Sequence, residues 1–202
     1  MASGEDKVWE TLAGLIPEEV CRRTGATFYA ASGMYQLHCF GREVLVSPGQ
    51  RTIASRSAEG EGLIGKLGFF LRFSALGYLA GAREVAPSGR LIKPEGMKSG
   101  QLFFRGAHAL PLDDVAERFG SDREGFLRKG ARLNGEVASY GDAAVTLFPL
   151  PRTPVTIILW LRDEEFPARA DLLFDAASEL QLPIDTVWAV AMLTVTALLT
   201  PE

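Results

Sequence analysis

Apolar positions in the first quarter of the chain change their period once, from helical to alternating. Val8, Trp9, Leu12, Leu15 and Ile16 recur at the spacing of one helix face, which predicts a helix over 7–15. Pro17 opens a second short helix through Arg23, since a proline in the first turn forfeits no needed donor, and Thr24-Gly25 closes it. From Ala26 to Val46 the period drops to two. Phe28 and Ala30 alternate with Thr27 and Tyr29, Ser32-Gly33 supplies a turn, Tyr35 to Phe40 alternates again, and Gly41-Arg42 leads into Glu43–Val46. Three antiparallel strands in a meander are predicted. A turn at Ser47-Pro48-Gly49-Gln50 and a weak fourth strand over 51–58 follow.

The pattern then becomes helical from Leu63 to Ala80, with Gly65, Gly68 and Gly77 each weakening that helix. Pro87-Ser88-Gly89 reads as a loop, Arg90–Lys93 as a short strand and Pro94–Gly100 as a loop. A helix over Pro111–Phe119 stops at Gly120. Ser121-Asp122-Arg123-Glu124 has the capping-box pattern, with Ser121 as the cap of a helix ending near Gly130, before a turn at Asn134-Gly135. Asp142–Phe148 and Val155–Leu161 are predicted strands joined by a loop over Pro149–Pro154. The second is apolar on both faces, as expected at the centre of a sheet. A loop over Asp163–Asp175 contains the apolar segment Leu172-Leu173-Phe174, Asp175 caps a helical turn, and Ile184–Leu199 forms the closing helix. The expected fold is α+β in a single globular domain over 1–202: an N-terminal antiparallel meander, central helices, a second strand pair and a buried C-terminal helix.

Composition narrows the class. Apolar residues make up 47% and charged residues 23% of 202 positions, which excludes a disordered tail and a small disulfide scaffold. The net charge is −4, and it is uneven: the first 101 residues hold 12 basic and 10 acidic side chains, the last 101 hold 9 and 15. No nucleic-acid partner is expected from a chain without a broad basic surface. No membrane span is expected either. Val187–Leu199 has 13 residues against the roughly 20 a bilayer requires, and Lys66 and Arg72 interrupt the run from Gly62 to Gly81. Cys21 and Cys39 form no C-x-x-C pair, and the polar start Met1–Asp6 is unlike a secretion signal, so free thiols in the cytoplasm are expected.

Four places invite a chemical reading. Gly60-Glu61-Gly62-Leu63-Ile64-Gly65 matches the dinucleotide pattern G-x-G-x-x-G, but no buried strand precedes it and Glu61 would face a pyrophosphate with like charge; close helix packing is the better reading. His38 and Cys39 are neighbours on a strand and so point to opposite faces, which disfavours a shared metal. His108 follows Phe103-Phe104-Arg105-Gly106-Ala107 and precedes a helix, a place that suits a general base or a ligand or, more simply, a structural histidine bonding loop carbonyls. Asp163-Glu164-Glu165-Phe166-Pro167 places three carboxylates directly after the expected central strand, able to bind a hard cation or to carry a proton. The plain alternative is that they tie strand to helix or pair with Arg162 or Arg169. No nucleophile elbow, phosphate-binding loop, H-E-x-x-H pair, calcium loop or four-cysteine cluster pattern occurs.

Leu76-Gly77-Tyr78-Leu79, Pro87-Ser88-Gly89, Phe103-Phe104-Arg105-Gly106-Ala107-His108, Phe119-Gly120 and Gly141-Asp142-Ala143 occur in that order. Pro149-Leu150-Pro151-Arg152-Thr153-Pro154, Leu159-Trp160, Asp163-Glu164-Glu165-Phe166-Pro167 and Leu172-Leu173-Phe174-Asp175 follow. Together they resemble the prokaryotic domain-of-unknown-function family numbered 3786, over 25–198, behind an N-terminal helical segment over 1–24. The resemblance implies a setting in anaerobic bacteria and archaea, where some members carry an iron–sulfur module of the kind seen in corrinoid proteins. This chain lacks that module's cysteines, and it has Arg162 where members often have glycine. No cofactor is therefore expected in the chain itself, and an iron–sulfur or corrinoid group would come from a partner.

The expectation is a cytoplasmic binding or accessory module for an anaerobic redox or one-carbon system, with a small molecule or a protein as partner. Its pocket would gather Arg105, His108, Trp160, Asp163, Glu164, Glu165 and Asp175. The alternative is a metal-dependent or acid–base enzyme that uses the Asp163-Glu164-Glu165 loop, two carboxylates serving as ligands or as acid and base.

Overall fold

A computed structural model describes residues 4–98 and 100–201. Helix α1 (Gly4–Gly14) buries Trp9 and Leu12, and α2 (Pro17–Thr24) starts on its proline and ends at Gly25 in the left-handed region (φ 71°). Strands β1 (Thr27–Tyr29), β2 (Met34–Cys39), β3 (Arg42–Ser47) and β4 (Thr52–Ala54) form the expected meander, each antiparallel to the next. Tyr35, Leu37, Cys39, Val44 and Val46 are all buried, so alternation sets one face of this sheet against the core. Phe40 and Gly41 turn between β2 and β3 with φ of 50° and 75°, as two-residue hairpins require.

Helix α3 (Ala58–Gly81) begins at Ser57, whose Oγ accepts from Gly60 N at 3.0 Å, and kinks at Gly68. It packs on α1 and on the last helix, α8 (Ile184–Leu199). Gly77 permits the α3–α8 crossing, because a Cβ there would stand 2.6 Å from Thr186 Oγ1. Helix α3 is long and apolar enough to cross a membrane by length and composition, and 44% of its most apolar window is buried against neighbouring elements. Helix α8 is more deeply enclosed, with ten buried residues among its sixteen.

The second sheet is larger than a strand pair. Its order is β5 (Leu91–Ile92), β9 (Arg169–Asp175), β8 (Thr153–Trp160), β7 (Ala143–Leu150) and β6 (Glu136–Ala138), all antiparallel. Strand β8 is central, as its two apolar faces predict. Strand β9 replaces much of the loop expected over 163–175. Ala170, Leu172 and Phe174 alternate inward with Arg169 and Asp171 between them, a period masked in the sequence by the apolar Leu173 on the outward row. The loop expected over 149–154 is likewise absorbed into the β7–β8 hairpin, which turns at Pro151-Arg152. Pro149 has no N–H to give the ladder, and the register shifts between Leu147 and Leu150. The adjacent Phe148 carbonyl accepts from Phe40 N at 2.9 Å and so joins the two sheets.

Between β5 and β6 in sequence lie α4 (Gly100–Phe103), α5 (Leu112–Phe119) and α6 (Arg123–Arg132), with 3-10 turns at Pro94–Gly96 and Gly106–His108. The cap of α6 is Asp122 rather than Ser121: its carboxylate accepts from Gly125 N at 2.8 Å, while Glu124 turns to Arg123. Helix α7 (Ser178–Gln181) leads into α8. One continuous cluster of buried apolar residues runs through both sheets and helices α1, α3 and α8.

Candidate functional site

The acidic loop is the connection from β8 to β9, at one end of the larger sheet. Arg162 N donates to Gly120 O at 2.9 Å, and a Cβ on Gly120 would meet Ala168 at 2.2 Å, so the loop lies hard against the end of α5. Leu161 N donates to the Asp142 carboxylate at 2.8 Å and fixes the strand end. Asp163 organises the tip. Its Oδ1 accepts from Glu165 N (2.8 Å) and Phe166 N (2.7 Å), and its own N donates to Phe166 O (3.1 Å). This carboxylate is spent on its own turn, as aspartate commonly is.

Glu164 and Glu165 are exposed, and so are Arg162, Asp163 and Phe166. They border an open depression of about 520 Å³ whose far wall is the outer face of α5, with Asp113, Ala116 and Glu117. Five carboxylates and one guanidinium thus surround it. Phe166 stands 66% exposed at the loop tip, a large apolar ring held in place by the Asp163 turn.

The other expected residues divide. Trp160 is half-buried on the last position of β8, opposite Arg169, whose guanidinium lies 4.0 Å from the ring centroid in a cation–π contact. It adjoins the loop but does not line the depression. Arg105 is exposed at the start of the second 3-10 turn and is outside the depression too. His108 stacks on Phe103 at 4.5 Å and meets Trp188 of α8 edge-on at 5.1 Å, while its carbonyl accepts from Trp188 Nε1 at 3.1 Å. That places its ring in an aromatic seam between loop and helix.

Asp175 ends β9 at the opposite end from Arg169, six residues away along the strand, roughly 20 Å at the usual rise. Only 6% exposed, it accepts from Ser88 N and Oγ (both 2.9 Å), Gly89 N (2.8 Å) and Ala177 N (2.8 Å). Burial alone would raise its pKa, but these donors outweigh burial and hold the carboxyl below its ordinary value. The structure therefore brings Asp163, Glu164 and Glu165 together and leaves Arg105, His108 and Asp175 elsewhere. Among the described residues, no group of three or more His, Cys, Asp and Glu side chains is placed to hold a metal ion.

Gly60, which opens the dinucleotide-like pattern, sits where a Cβ would meet Ser55 Oγ at 2.1 Å and Glu43 O at 2.9 Å; the glycine serves packing of the helix start. Cys39 is buried and Cys21 half-buried, both free thiols, and burial raises the pKa of each. Two features went unseen in the sequence. Asp113 and Glu117 are four apart and share an α5 face, a readable signal, but nothing local shows that this face meets the acidic loop. A mainly apolar groove of about 580 Å³ between α1, α3 and the start of α8 is lined by Val8, Phe69, Phe73 and Leu76 among others.

A family model described as a domain of unknown function, DUF3786, matches residues 17–197. The chain belongs to this family. The DUF3786 match takes in α2, both sheets and nearly all of α8, so the acidic loop and its depression lie inside the family region. No curated protein and no solved structure matches the chain.

Proposed function

We propose that this DUF3786 chain is a cytoplasmic binding or accessory module that docks a protein partner on the β8–β9 loop, in an anaerobic redox or one-carbon system. The observation that carries this reading is Phe166. A phenyl ring 66% exposed, fixed on a short tied loop and bordered by Asp163, Glu164, Glu165, Asp113 and Glu117, has the make-up of an interface anchor with a charged rim. The depression is open, which suits a surface rather than an enclosed substrate. The acidic rim selects a partner with a basic patch around an apolar hollow. The family resemblance suggests that this partner carries the iron–sulfur or corrinoid group.

The same geometry weakens the enzyme alternative. Asp163 is consumed by its own turn, Asp175 by Ser88, Gly89 and Ala177, and the His108 ring is held between two aromatic rings. Glu164 and Glu165 stand exposed on the loop. Isolation of the tagged chain from its source cells without oxygen, followed by an absorbance spectrum and metal analysis, tests the reading. Retention of a chromophore-bearing partner at low salt, and its loss from Phe166→Ala, is the expected result. Turnover by the isolated chain that Glu165→Gln abolishes would replace it with the enzyme reading.

A further inference from the structure

We draw no further inference here: the strongest candidate, the mainly apolar groove of about 580 Å³ between α1, α3 and the start of α8 with Phe69 exposed at its edge, carries none because nothing in the structure shows what covers it.

Discussion

At Asp175 four donors from two segments converge on one carboxylate, and this contact locks the Pro87-Ser88-Gly89 loop to the end of β9. Asp175→Ala should cost about 2–3 kcal/mol by urea denaturation, since the amides of Ser88, Gly89 and Ala177 lose their acceptor. The sign of the pH effect follows from the lowered folded-state pKa. The contribution is complete above the unfolded value, about 3.9, and is lost as pH falls through the folded value. Wild type should therefore lose stability in that acid window, and Asp175→Asn should show a smaller loss across it. Asp163 plays a comparable part on a smaller scale. Asp163→Ala should speed hydrogen exchange at the Glu165 and Phe166 amides, while Asp163→Asn, which keeps an acceptor oxygen, should preserve much of their protection. The sequence marks Asp175 as a cap of the following helical turn, but the N-cap of α7 is Ala177 and Asp175 accepts from the Ala177 amide ahead of the helix; nothing local shows that its other donors are Ser88 and Gly89, 87 and 86 positions away.

Among the elements, the helices and the meander could be read because their signals are local. Ile184–Leu199 begins and ends where its apolar run does, and Pro17 and Gly25 bracket α2. Strand β9 was hidden because the apolar Leu173 falls in its outward row and makes Leu172-Leu173-Phe174 read as one short run, while its charged residues are placed by partners outside the segment. Arg169 lies over Trp160, Asp171 meets Lys93, and Asp175 holds Ser88 and Gly89. Pro149 hid the continuity of β7, which tolerates it only through the break in register. The glycines of α3 separate by what surrounds them. Gly77→Val should destabilise by about 2 kcal/mol or more, because Thr186 and α8 must move. Gly65→Ala should stabilise by about 0.5–1 kcal/mol, since nothing stands within 4 Å of an added Cβ. Thermal denaturation of the two variants reads both signs.

At the scale of the whole molecule, the excess of acid in the second half of the chain becomes spatial when the β8–β9 loop closes on α5. The sequence marks Asp163, Glu164 and Glu165 as one group, but their company depends on tertiary packing: Asp113 and Glu117 join them, and Arg105, His108 and Asp175 do not. Exposure of Phe166 was equally beyond local pattern, because its place in the loop does not show which way the ring is held; the Asp163 turn leaves it 66% exposed. Its anchoring role predicts that Phe166→Ala weakens partner binding about tenfold or more while leaving the unfolding midpoint nearly unchanged. Charge reversal at Glu164 and Glu165 should slow association and reduce its dependence on salt. The most direct measurement places a photo-reactive benzoylphenylalanine at position 166 of the full chain in an oxygen-free extract of the source cells. A single basic, cofactor-carrying protein should cross-link there and be lost when Glu164 and Glu165 are both changed to lysine; a cross-link that survives that reversal, or none beyond the chain itself, would contradict the account.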